Sequence, residues 1–85
     1  MRLKDKVAIV TGAAKGLGRV FAIGLAKEGA KIMAVTRKDL ANLEKTVKEI
    51  QSFGGVAEAL QADVSIEMDA KRIAEETSKT FGRID

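Results

Sequence analysis

The 85-residue sequence contains no Cys, His, Tyr, Trp or Pro, and only three Phe. Without cysteine there is no disulfide framework, no thiol nucleophile and no thiolate metal site. With histidine absent too, an ordinary structural zinc site is excluded. The missing Tyr and His also remove two common proton-transfer side chains. No stretch reaches the ~20 apolar residues that span a bilayer. The largely charged start, Met1 to Lys6, lacks the apolar core of a signal peptide. These features point to a cytoplasmic location and no membrane partner. The charge is nearly balanced, 15 Lys and Arg against 12 Asp and Glu for a net +3. With so few aromatic stacking platforms, this balance argues against a nucleic-acid partner.

What is present is a foldable chain. A hydrophobic share of 46% with 32% charged residues is that of a globular protein rather than a disordered one. The length suits one small domain or part of a larger one. Val7-Ala8-Ile9-Val10 and Ile32-Met33-Ala34-Val35 are unbroken apolar runs of strand length, the pattern of strands buried on both faces. Val56 to Gln61 is a weaker third candidate, interrupted by Glu58.

Helical patterns lie between these runs. From Gly16 to Glu28, the residues Leu17, Val20, Phe21 and Leu25 recur every three or four positions as an amphipathic stripe, and Gly29 follows as a stop. From Leu40 to Phe53 the stripe is Leu40, Leu43, Val47 and Ile50. Asp39 is placed to cap this second helix, Glu44 and Lys48 to pair along it, and Gly54-Gly55 to end it. A third helix is expected from a Ser65 cap to Phe81-Gly82, with Glu67 and Asp69 in a first turn whose dipole favours acids. The order β-α-β-α-β-α implies an α/β fold with a parallel sheet and right-handed crossovers.

The segment Thr11-Gly12-Ala13-Ala14-Lys15-Gly16-Leu17-Gly18 joins the first strand to the first helix. A phosphate-binding turn needs glycine for a reversal at positive φ, for close backbone approach to a pyrophosphate, and for tight helix packing. The helix N-terminus then offers free N–H groups and a partial positive charge to the anion. The spacing is neither G-x-G-x-x-G nor a Walker loop, in which Lys follows the last glycine. A glycine-rich turn that binds nothing is the alternative.

The pattern T-G-x-x-x-G-x-G, carried by Thr11, Gly12, Gly16 and Gly18, resembles the nucleotide signature of the short-chain dehydrogenase/reductase family. Lys6 to Val10 is similar to the family's first strand, and Gly29-Ala30 to its approach to the second. Asp63-Val64 resembles the D-V pair after the third strand, and Phe81-Gly82-Arg83-Ile84-Asp85 the lead into the fourth. The likeness is greatest to the bacterial classical type that includes 3-oxoacyl-acyl-carrier-protein reductases. It implies the β-α-β-α-β-α half of a Rossmann fold with strand order 3-2-1, stopping before the fourth strand. It also implies a nicotinamide dinucleotide cofactor and a small carbonyl or alcohol substrate for the full-length parent.

Within that resemblance the cofactor site comprises Gly12, Lys15, Gly16, Leu17, Gly18, Thr36, Arg37, Asp63 and Val64. Thr36 stands where NAD-selective members carry Asp, and Arg37 follows it. An acid at this place hydrogen-bonds the 2′-hydroxyl of NAD, whereas a base accommodates the 2′-phosphate of NADP. Lys15 adds a second cation, so NADP(H) is expected over NAD(H). Asp63 and Val64 resemble the family's adenine contacts, although Asp63 also reads as a turn cap.

The family's Tyr-x-x-x-Lys pair, its Ser and its N-N-A-G motif find no counterpart in the 85 residues. Residues 1–85 are therefore expected to be a partial dinucleotide-binding domain with no catalytic residue and no metal site, inactive alone. A non-catalytic nucleotide-binding module and a self-associating fragment are the alternatives. Without a fourth strand, the first strand lies at the sheet edge with no proline or charge in its apolar run. Such an edge invites pairing with another chain, so homo-oligomerisation or association through this strand is expected.

Overall fold

The computed structural model describes residues 3–63 and 67–82. The element order is β1 (Val7–Thr11), α1 (Gly16–Lys27), β2 (Lys31–Thr36), α2 (Leu40–Ser52), β3 (Val56–Gln61) and α3 (Glu67–Phe81). Both strand pairs are parallel, and the spatial order is β1-β2-β3. Val7 to Thr11 align with Lys31 to Val35, and Lys31 to Thr36 with Val56 to Gln61, so all three strands end together. The Ser65 cap expected for α3 lies outside the described residues, whereas Glu67 and Asp69 do occupy its first turn.

β2 is the central strand, and from Ile32 to Thr36 every residue is buried. Its alternating side chains feed two cores. Ile32 and Ala34 pack with Ala22 and Ala26 of α1, with Leu43, Val47 and Ile50 of α2, and with Ala57 of β3. Met33 and Val35 pack on the opposite face with Ala62 and with Ile73 of α3, flanked by Ile9, Leu60 and Phe81. The sheet is thus covered by α1 and α2 on one side and α3 on the other.

Three expectations are corrected. First, β1 is not buried on both faces like β2. Ala8, Ile9 and Val10 are only half-buried, because β1 stands at the edge of the described sheet. Second, most of the large-residue stripe of α1 faces outward: Leu17, Val20 and Phe21 are 71%, 65% and 57% exposed, and of the four only Leu25 packs against the core. The inner face is instead Gly18, Ala22 and Ala26, one residue every four. α1 lies so close to the strand-to-helix turn that only small side chains fit beneath it. Third, among the described residues Glu44 and Lys48 form no ion pair. The pair on α2 is Glu49 with Arg19 of α1, at 2.8 Å, which ties together the two helices that share one face of the sheet.

The helix ends follow the sequence closely. Asp39 caps α2 by accepting from the Asn42 N–H. After α1, the Gly29 N–H donates to Ala26 and the Ala30 N–H to Leu25. After α2, Gly54 donates to Gln51 and Gly55 to Ile50 in the same arrangement, the Schellman closure that satisfies the last helical carbonyls. No helix among the described residues is long and apolar enough to cross a membrane.

Candidate functional site

Three parallel strands ending at the same level leave a cleft at their carboxyl ends, where open α/β sheets bind ligands. Its volume is about 530 Å³, within the ordinary range for a small-molecule site. β1 contributes Thr11 and the turn residues Gly12 and Lys15; β2 contributes Val35, Thr36 and the following Arg37, Lys38 and Asp39. Ala62 and Asp63 close the third side after β3.

The turn floor is built by close backbone approach. A Cβ on Gly18 would stand 2.7 Å from the Gly12 carbonyl carbon and closer still to its oxygen. The first turn of α1 therefore packs directly on the turn that precedes it. Gly12 itself holds φ +64, with nothing beyond its chain neighbours within 4 Å of where its Cβ would be. The missing side chain leaves open space beside the cleft, as a backbone cradle for an anion requires. Ala13, buried beneath, donates its N–H to the Val35 carbonyl at 3.2 Å and ties the turn to β2.

The two nearby helix N-termini differ. α2 is closed by the Asp39 carboxylate, whose oxygens accept from the Asn42 N–H at 3.4 Å and from Asn42 Nδ2 at 2.8 Å. α1 has Lys15 at its cap position, no side-chain cap and no acid in its first turn. An uncapped N-terminus of this kind, with its leading N–H groups and positive dipole end, favours an anion nearby.

The cleft carries three cations, Lys15, Arg37 and Lys38, against two carboxylates, Asp39 and Asp63. The side-chain hydrogen bond from Asn42 holds the Asp39 carboxyl below the usual carboxylate range. The Asn42 N–H and the charges of Lys15 and Lys45 act in the same direction, against partial desolvation. Thr36 is buried, and its Oγ1 accepts the Asp39 N–H at 3.3 Å, which shapes the turn bearing Arg37 and Lys38.

The third side is braced by α3. The Asp63 N–H donates to Asp69 Oδ2 at 2.9 Å, and Arg72 donates to the Gln61 carbonyl at 2.6 Å. The Ala62 N–H bonds the Thr36 carbonyl at 2.9 Å, and Gln61 Nε2 bonds the Arg37 carbonyl at 3.2 Å. The ends of β2 and β3 are thereby joined at the cleft. Among the described residues no cluster of acids could hold a metal ion.

The family described as short chain dehydrogenase matches residues 6–85. The chain belongs to the short-chain dehydrogenase/reductase family. It is 42% identical over 84 residues to an uncharacterized oxidoreductase of Methylorubrum extorquens, covering 99% of this chain and 34% of that one. The crystal structure of a hydroxysteroid dehydrogenase from Escherichia coli superposes with a TM-score of 0.94 at 33% identity, covering 99% and 34%. A metagenomic short-chain oxidoreductase in complex with NADP gives a TM-score of 0.92 at 33% identity, covering 100% and 38%. The chain thus spans about a third of the length of these relatives.

As a short-chain dehydrogenase/reductase segment, the chain brings Gly12, Lys15, Thr36, Arg37 and Asp63 together around one cleft. Gly16, Leu17 and Gly18 do not line it; they form the first turn of α1 behind the Gly12 floor, with the Leu17 side chain out in solvent. Val64 lies outside the described residues. Five further residues, Thr11, Val35, Lys38, Asp39 and Ala62, line the cleft without being among the expected site residues. The only sequence signal for Lys38 is its place beside Arg37, and the sequence pattern marks Asp39 only as a helix cap.

Proposed function

We propose that this chain is the cofactor-binding half of an NADP(H)-dependent short-chain oxidoreductase that interconverts a carbonyl and an alcohol. The observation that carries the proposal is the cleft itself: an uncapped helix N-terminus, a glycine-floored turn and three cations at the carboxyl ends of three parallel strands. The residues fit a dinucleotide. Gly12 and the start of α1 would hold the pyrophosphate, while Lys15 and Arg37, with Lys38 beside them, would face the 2′-phosphate. Asp63, with Val64, would sit at the adenine. The absence of an acid at Thr36 removes the group that would repel that phosphate. The metagenomic relative in complex with NADP supports the same cofactor. A bound nicotinamide supplies the hydride that reduces a carbonyl.

The chain has no Tyr, and proton transfer would fall to residues outside positions 1–85. On this reading the 85 residues bind cofactor and do not turn over. Reduction of a 3-oxoacyl thioester is the first substrate to assay in a longer polypeptide, with a steroid ketone as comparison.

The edge strand supports a second element of the proposal, self-association. β1 pairs with β2 alone among the described residues, and Ala8 to Val10 carry no charge or proline. Such an edge is a template for a second copy.

Amide chemical shifts test the site. Titrating labelled protein with NADPH is expected to move Gly12, Lys15, Arg37 and Asp63 together, with α3 beyond Arg72 unmoved. Shifts confined to any other surface would overturn the assignment.

A further inference from the structure

Thr46 occupies the middle of α2 and is fully buried, on the same face as Leu43, Val47 and Ile50. A valine would fill the same space, yet the residue carries a hydroxyl. Its Oγ1 donates to the Ala13 carbonyl at 2.9 Å, across 33 residues of sequence, and stands 3.3 Å from the Asn42 carbonyl one turn back. The hydroxyl has one hydrogen and two carbonyls in reach, and the shorter contact is the one to the turn.

Ala13 is held from both ends. Its N–H is taken by the Val35 carbonyl of β2 and its carbonyl by Thr46 of α2. A trans peptide is planar, with its carbonyl and N–H pointing in opposite directions. Fixing the Ala13 carbonyl therefore fixes the plane it shares with the Ala14 N–H, and with it the path from Gly12 to the start of α1. The same helix bears Asp39 and Asn42 at the Arg37–Lys38 side of the cleft. One rigid element thus braces both ends of the site.

We propose that Thr46 is a positioning residue for the pyrophosphate-binding turn: its buried hydroxyl holds the Ala13–Ala14 peptide in the orientation that receives the anion. The inference rests on the reading of the cleft as a dinucleotide site. It goes beyond that reading by placing a determinant of affinity on α2, away from the cleft lining. A hydroxyl that served packing alone would change stability without changing the relative affinity for ligands with and without a pyrophosphate.

The test is calorimetric titration of the unmodified chain, Thr46→Val and Thr46→Ser, well below their unfolding temperatures. The probes are NADPH, which has a pyrophosphate, and 2′-AMP, which has only the 2′-phosphate. Thr46→Val is expected to weaken NADPH about tenfold, roughly the loss of one net hydrogen bond, while 2′-AMP stays within about twofold. Thr46→Ser, which keeps the hydroxyl, should match the unmodified chain for both probes. Equal weakening of both probes by Thr46→Val, or no change, would overturn the role of Thr46. So would a serine variant that behaves like the valine one. If the unmodified chain binds neither probe, the dinucleotide reading falls first, and the inference with it. Should Thr46→Val fail to fold, amide shifts of the unmodified chain decide. Ala13 and Ala14 are expected to respond to NADPH and not to 2′-AMP, and silence at both positions overturns the proposal.

Discussion

Gly18 packs against Gly12 so closely that a single added methyl group would overlap the Gly12 carbonyl. The contact joins the first turn of α1 to the loop that floors the cleft, and it involves backbone on one side, which cannot swing away. Gly24, further along the same helix, has nothing beyond its own helical backbone within 4 Å of a Cβ position. The two glycines should therefore respond in opposite ways to the same substitution. Gly18→Ala is expected to destabilise the fold by about 1–3 kcal/mol, the usual cost of overpacking. Gly24→Ala is expected to stabilise it by about 0.5–1 kcal/mol, through helix propensity and a less flexible unfolded chain. Urea unfolding of the two variants against the unmodified chain checks both signs.

The contrast between these glycines also shows what was legible beforehand. The strands, the parallel order and the helix ends follow from apolar runs and from Asp39, Gly29 and Gly54, because each acts through local geometry. The inner face of α1 did not follow. Reading hydrophobicity favours Leu17, Val20 and Phe21, but the contact distance set by Gly18 demands Ala22 and Ala26 beneath the helix. Thr46 was invisible for a related reason: a polar residue in an apolar stripe declares itself only when its acceptor, Ala13, is brought beside it. Gly12, Lys15, Thr36, Arg37 and Asp63 were legible through the family resemblance. Lys38 and Asp39 join them because the turn after β2, held by the Asp39 N–H to Thr36 Oγ1 bond, lines the cleft.

Asp39 gives the fold an acid-sensitive cap. Its carboxyl lies below the ordinary value of 3.8, chiefly because Asn42 hydrogen-bonds the charged form. A carboxylate lowered in the folded state contributes stability that is fully present above the unfolded value and is lost as pH falls through the folded one. Asp39→Ser keeps a capping oxygen but removes the titration. The stability gap between the unmodified chain and this variant is expected to be constant above about pH 5 and to shrink steadily below the ordinary value of 3.8. Unfolding curves at pH 6 and pH 2.5 measure it, and a gap unchanged between them would contradict the role given to Asn42.

Self-association through β1 has a direct readout. Sedimentation of the 9.1 kDa chain at increasing concentration is expected to show a dimer or larger species. Amide exchange at Ala8 to Val10 should slow as that species forms, since new ladder hydrogen bonds would protect these groups. A concentration-independent 9.1 kDa species would contradict the proposal.

The cleft is proposed to hold a nicotinamide dinucleotide and to prefer the form with the 2′-phosphate. Calorimetric titration with NADPH and NADH, on the unmodified chain and on Thr36→Asp, tests it most directly. The charges of Lys15 and Arg37, undiminished by an acid at Thr36, should make NADPH bind more tightly by roughly tenfold or more at low ionic strength. Thr36→Asp should narrow or reverse that difference by placing a carboxylate where the phosphate would lie. Equal affinities for the two cofactors in the unmodified chain would contradict the account.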